Sequence, residues 1–154
     1  MLRNQKKNME LTKHFTLEEM IESSTASVLD IDNTPTKQHE KNMKSLAVHV
    51  LEPIREKWGG AIVVGSGYRS KALNDVIPGA SATSQHCKGE AADIRPLDGR
   101  KKELFEMIKE SGLPFDQLIN EYPDKNGVPS WIHVSYTTSR KNRGQVLTLK
   151  GKKK

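Results

Sequence analysis

The sequence predicts an α+β domain built on a small, mainly antiparallel sheet with flanking helices. Three observations point there. An apolar stripe at helical spacing comes early, from Met43 through Leu46, Ala47, Val50, Leu51 and Ile54 to Trp58. Short runs of strand character follow at 61–64, 91–95, 115–121 and 131–136. Helices precede strands that are themselves interspersed with helices, which is not the regular alternation of βαβ units.

The elements can be justified in order. Residues 1–14 read as a flexible leader, 15–149 as the folded domain and 150–154 as a basic tail. In Thr16-Leu17-Glu18-Glu19, Thr16 can cap a helix while Glu19 reaches back to it, so a short helix is expected to end near Glu22. Residues 23–34, rich in Ser, Thr, Asp and Asn, read as a loop. Thr34-Pro35 opens the long helix, with proline at the tolerated first position. Pro53 lies inside that helix, removes a donor and predicts a kink. Gly59-Gly60 ends it.

Ala61-Ile62-Val63-Val64 is a buried strand closed by Gly65-Ser66-Gly67. Ser70 caps a short helix over 71–76, residues 78–89 are loop-like, and 91–95 form a strand. Leu104, Phe105 and Ile108 mark a helix over 101–111, stopped by Gly112. The runs at 115–121 and 131–136 predict an antiparallel hairpin around a long loop containing Asn126-Gly127. Residues 145–149 add an edge strand.

Composition narrows the function. A chain of 154 residues fits one domain, and 34% hydrophobic content suffices for a core at this length. The single cysteine, Cys87, excludes an internal disulfide framework and any multi-cysteine zinc site. No apolar run reaches the length of a membrane span. The start, MLRNQKKNMELTKHF, has no apolar core of a signal peptide, so synthesis in the cytoplasm is expected. A substrate outside the membrane would then require release by another protein. The net charge is +6, but Arg140, Lys141, Arg143, Lys150, Lys152, Lys153 and Lys154 supply seven positive charges with no acid among residues 137–154. The 25 basic residues less these seven leave 18 against 19 acidic, so the body carries −1. A basic tail either solubilises the end or attracts an anionic polymer. It contains no aromatic residue to stack on bases, which counts against nucleic acid as partner.

The chemistry centres on Ser84-Gln85-His86-Cys87-Lys88-Gly89-Glu90-Ala91-Ala92-Asp93 and Trp131-Ile132-His133-Val134-Ser135. Gly89 lets the chain turn between His86 and Asp93. On a strand, His133 faces away from Ile132 and Val134. Two histidines and a carboxylate, with the fourth position open, form a ligand set of catalytic zinc. On spacing alone the plainer assignment leads: a loop histidine, a turn-capping aspartate and a satisfied strand histidine.

Further motifs change that balance. Ser84, His86, Gly89, Ala91 and Asp93 complete the pattern Ser-x-His-x-x-Gly-x-Ala-x-Asp, and Trp131 and His133 supply a later Trp-x-His. Gly67-Tyr68-Arg69-Ser70 matches an upstream turn, with the start at Phe15 and the helix ending at Arg55 in support. Over about Phe15 to Tyr136 the chain resembles the zinc D-alanyl-D-alanine carboxypeptidases and L-alanyl-D-glutamate endopeptidases, whose fold is shared with the Hedgehog signalling domain. The carboxypeptidase-like branch is nearest in pattern.

The resemblance implies that His86, Asp93 and His133 bind Zn²⁺ and that Arg69 meets a substrate carboxylate or the oxyanion. It implies hydrolysis of an amide in peptidoglycan stem peptides, either D-Ala-D-Ala or L-Ala to a D-acidic residue. A phage lysis enzyme (an endolysin) or a bacterial remodelling enzyme, acting on the cell wall and monomeric, fits this reading. Ser84 either orients substrate or stabilises its loop. Many relatives carry an acid three positions before the last histidine, where this chain has Ser130. Glu121 is the substitute as base, the other reading being a hairpin-rim glutamate in water; Asp116 and Asp124 are weaker candidates. The departure at Ser130 keeps open a non-catalytic, wall-binding zinc fold. Cys87 is set aside as a nucleophile because no second histidine is placed to activate it. Tyr68 reads as packing, and His14, His39 and His49 as surface or packing residues.

Overall fold

The computed structural model describes residues 9–151. The chain opens with two short antiparallel strands, β1 (Glu10–Thr12) and β2 (Phe15–Thr16). Leu11 and Phe15 drop from them into the core. The leader expected over 1–14 therefore does not extend through 10–12, because burying Leu11 fixes this segment; residues 1–8 lie outside the described residues. Helix α1 (Leu17–Ile21) carries the expected capping box, with Glu19 N–H donating to Thr16 Oγ1 and Thr16 N–H to the Glu19 carboxylate. The segment expected as a loop contains a second short helix, α2 (Ser24–Leu29), capped by Ser23 and ended by Asp30 in the left-handed region (φ 55°). Only Ala26 of α2 is buried, so no apolar stripe marked it in the sequence.

The long helix has three parts: α3 (Lys37–Leu46), a π-helical turn (Ala47–Leu51) and α4 (Glu52–Trp58). Pro53 has no N–H to give, and its ring crowds the carbonyl four residues back. The ladder widens just before it, with Glu52 N–H donating to the Ala47 carbonyl five residues back. The expected kink is thus realised as a π-bulge.

Five strands form the main sheet: β3 (Ile62–Ser66), β4 (Ala91–Pro96), β5 (Gln117–Glu121), β6 (Trp131–Ser135) and β7 (Gln145–Leu149). Their order is β3-β4-β6-β5-β7; the first three pairings are antiparallel and β7 runs parallel to β5. Two further helices are α5 (Lys71–Val76) and α6 (Lys101–Glu110). Alternation along the strands sorts the two faces. Ala92, Ile94, Leu118, Ile132 and Val134 join Leu46, Leu51, Ile54, Leu104 and Ile108 in one core. Asp93, Glu121 and His133 have the opposite parity and stand on the other face, where the cleft opens. The architecture is α+β with a mainly antiparallel sheet. No helix among the described residues is long and apolar enough to cross a membrane.

Candidate metal centre and active site

Strand register builds the centre. Asp93 on β4 is paired with His133 on β6, and His133 is paired with Ile119 on β5. Directly opposed residues place their Cβ atoms within about 5.5 Å of each other. Glu121 pairs with Trp131, so it sits one diagonal step from His133 on the same face. His86 arrives from the loop side, on a single 3₁₀ turn (Gln85–Lys88) capped by Ser84, whose Oγ accepts from His86 N–H.

The three side chains converge. His86 Nε2 lies 3.3 Å and His133 Nδ1 3.2 Å from Asp93 Oδ1. One donor atom from each lies within 4.8 Å of the others, and all three residues are buried. His86 Nδ1 is 2.7 Å from the Gly67 carbonyl. That bond places the proton on Nδ1 and leaves the Nε2 lone pair facing Asp93, the arrangement that orients a metal-ligating imidazole. Burial alone would raise the Asp93 carboxyl; when the two imidazoles are protonated, the charge of His86 and hydrogen bonds from His133 and His86 outweigh it and hold the group well below the usual carboxylate range. Two imidazoles and an ionised carboxylate are a donor set suited to zinc, so these residues could hold a metal ion.

Two glycines set the approach. A Cβ on Gly67 would collide with the Met20 carbonyl. Gly89 has φ +75° and its Cβ would lie 2.6 Å from the His39 carbonyl. Only glycine lets these backbones close around His86.

Arg69 follows from the same turn. Its N–H donates to the His86 carbonyl (3.0 Å). Its guanidinium donates from Nε to Ser66 Oγ (3.2 Å) and from Nη1 to Asn74 Oδ1 (3.3 Å), and Nη2 lies 3.5 Å from Asp93 Oδ2. Asn33 pins this turn from the segment after α2, donating to the Ile21 and Tyr68 carbonyls and accepting from Ser70 N–H. Asn33, Ser66 and Asn74 were not singled out by sequence reasoning. Their residue types are common on surfaces, and their partners lie up to 37 residues away.

Glu121 is buried (8% exposed), with Oε2 3.9 Å from His133 Nδ1. Burial raises its pKa; His133 opposes this, Asp93 adds to it and Arg69 opposes it. The two weaker candidates are elsewhere. Asp116 is fully buried and accepts hydrogen bonds from Arg140 and Arg143, which consume its lone pairs. Asp124 caps the hairpin loop, accepting from Asn126 and Val128 N–H. Ser130 donates its hydroxyl to the Tyr122 carbonyl. Cys87 is a free thiol whose pKa burial pushes up, with Arg69 opposing, so nothing activates it as a nucleophile. His14 pairs with Glu52, His49 stacks on Tyr136, and His39 packs against Tyr68 with the rings tilted.

The centre lies in a cleft of about 290 Å³ lined by Arg69, Ser84, His86, Asp93, Glu121, Tyr122, Trp131 and His133. A second cleft of about 410 Å³ shares Arg69, Ile77, Asp93 and Trp131 with it and runs on past Ser66.

A family model described as peptidase M15 matches residues 13–135, from just before β2 to the end of β6. The chain belongs to the peptidase M15 family. A comparison with curated proteins finds no match. The matched span of this M15 peptidase contains every residue of the His86–Asp93–His133 cluster, together with Arg69 and Glu121.

Proposed function

We propose that this M15 peptidase is a zinc enzyme that hydrolyses an amide bond in peptidoglycan stem peptides, and that it acts in cell-wall lysis. The observation that carries the reading is the convergence of His86, Asp93 and His133 at the floor of a cleft that also holds Glu121 and Arg69. His86, Asp93 and His133 would hold the ion. When bound, zinc polarises the scissile carbonyl and acidifies water.

The chain's own groups do the rest. In this reading Glu121 takes the proton from the attacking water and returns it to the leaving amine. Arg69, held in one orientation by Ser66 and Asn74, offers its remaining N–H groups to a substrate carboxylate or to the oxyanion. The hydrogen bond of His86 to the Gly67 carbonyl keeps that imidazole in one tautomer throughout. Ser84 caps the turn that carries His86 and faces the cleft, where its hydroxyl can also accept from bound peptide.

Incubating the zinc-loaded protein with purified peptidoglycan and identifying the released fragments by mass spectrometry tests the reading. New amino or carboxyl termini within the stem peptide are expected, as free D-Ala or as peptide cut after L-Ala. Cleavage of ordinary all-L peptides with wall left intact would overturn the substrate assignment.

A further inference from the structure

The groove does not stop at His133. Beyond it lies a pocket of about 420 Å³ that shares Ser81, Ser84 and His133 with the metal cleft. Arg140 and Arg143 line this pocket, and both are clamped to one carboxylate. Asp116 is 0% exposed. It accepts from Arg140 Nη1 (2.9 Å) and Nη2 (3.0 Å), and from Arg143 N (2.9 Å), Nε (3.1 Å) and Nη2 (2.8 Å).

One carboxylate neutralises only one of the two guanidiniums. Lys88 also lines the pocket, and Glu90 is buried, accepting from Thr137 and Gln85. Counting Lys88, Arg140 and Arg143 against Glu90 and Asp116 leaves one positive charge in surplus. Among the described residues Arg140 Nε and Arg143 Nη1 have no hydrogen-bond partner. The arginine side chains are 46% and 48% exposed, so these donors reach solvent. Either arginine alone would satisfy Asp116. The second adds a cation already fixed in place, which lowers the entropic cost of binding an anion.

We infer that this pocket is an anion subsite of the peptidase, taking a carboxylate of the peptide substrate two or three residues from the bond that is cut. The spacing follows from the sheet. His133 is opposite Ile119, and Asp116 lies three residues before Ile119 in the chain. At ~3.3 Å per residue that is about 10 Å, the reach of about three residues of extended peptide. The inference rests on the peptidase reading for its substrate class, with the cut ahead of the terminal D-Ala, from which the D-glutamate is the second residue.

Two peptide pairs test it by calorimetry on the zinc-loaded protein. One pair is a wall stem tetrapeptide with the α-carboxylate of its D-glutamate either free or amidated. The other is an all-L tetrapeptide with Glu or Gln at its third position. Acid should bind at least about tenfold more tightly than amide in the pair that is recognised, the scale of hydrogen bonds to a charged group. Raising the salt should shrink that ratio. Arg140→Gln and Arg143→Gln should each reduce it, with zinc content and thermal unfolding measured alongside. A ratio near one in the parent, or an undiminished ratio in both variants, would overturn the subsite. Binding of neither pair would overturn it too. If a variant fails to fold, the parent's ratio and its salt dependence still decide. Preference for acid with cleavage only of the all-L pair would sink the wall-peptide reading and leave the subsite standing.

Discussion

His133 stands directly opposite Asp93 across the β4–β6 pairing, its Nδ1 3.2 Å from Asp93 Oδ1. The register that packs Ile132 and Val134 into the core therefore also delivers the imidazole to the carboxylate. Slipping either strand by one residue would turn its own group to the wrong face. Metal binding by this trio would thus be tied to the fold, and it would need all three donors because a catalytic site spares none. The parent should carry about one zinc per chain, and chelation should abolish hydrolysis. His86→Ala and His133→Ala should each lose most of the metal by elemental analysis. Full occupancy in both variants would remove the ligand assignment.

Arg69 spans three partners, Ser66, Asn74 and Asp93, with one planar group. Lysine keeps the charge but has a single point of attachment. Arg69→Lys should retain zinc while kcat/KM on a defined wall peptide falls about a hundredfold, the scale of losing one oxyanion donor. Unchanged kinetics would show that the guanidinium only braces the cleft.

The centre was legible where chemistry and local pattern coincide. His86 and Asp93 are separated by a glycine turn, and His133 alternates with two core residues, so each carries its own signal in a few adjacent letters. Glu121 was legible only through the expected pairing of two strand runs, which the β5–β6 register bears out. Helix α2 and the strand at Glu10–Thr12 were not legible, because each buries a single apolar side chain and leaves no periodic stripe. Asp116 reads in the sequence like any acid near a strand. Its two arginine partners lie 24 and 27 residues away, in a segment that composition alone assigned to a basic end. The supporting shell of Asn33, Ser66 and Asn74 consists of long-range hydrogen bonds, for which a single sequence carries no local mark.

Gly89 gives a test of the backbone rather than of a side chain. Its φ is +75° and a Cβ would press on the His39 carbonyl, whereas Gly99, at φ +83°, has open space around it. Gly99→Ala should cost about 1–2 kcal/mol from the left-handed conformation alone. Gly89→Ala should cost more in denaturant unfolding and should also weaken zinc binding, since it displaces the turn that carries His86. Equal losses at the two positions would show that the helix α3 backbone gives way freely.

Asp116 supplies a pH signature away from the metal. Burial would raise its carboxyl, but hydrogen bonds from Arg143 and Arg140 hold it well below the usual range. A group with a depressed folded-state pKa adds stability that is fully present above its unfolded value, about 3.9, and is lost as pH falls below it. Asp116→Asn should lower stability near neutrality by about 2–3 kcal/mol, less than a fully buried pair because both arginines are half exposed. Parent and variant melting temperatures should converge as the pH drops below about 4. A gap that stays constant with pH would assign the loss to packing instead.

Glu121 is our proposed general base, because Ser130 spends its hydroxyl on the Tyr122 carbonyl and Asp116 and Asp124 are occupied elsewhere. It is 8% exposed, in the same cleft as His133 and Arg69, with a pKa that burial raises. A carboxylate at this place in the cleft is within reach of a water bound beside His133. Glutamine has nearly the same shape and keeps the β5 backbone bonds, including the one from Ser130 N–H to the Glu121 carbonyl (2.9 Å). Glu121→Gln should therefore fold and load zinc like the parent. Its kcat should fall about a hundredfold to ten-thousandfold, the usual contribution of a general base, with KM little changed. A fall in zinc content in parallel with activity would instead make Glu121 a support for His133, which lies 3.9 Å away. Turnover of wall peptide at the parent rate would show that the proton leaves by another route and that the carboxylate is a bystander in the cleft.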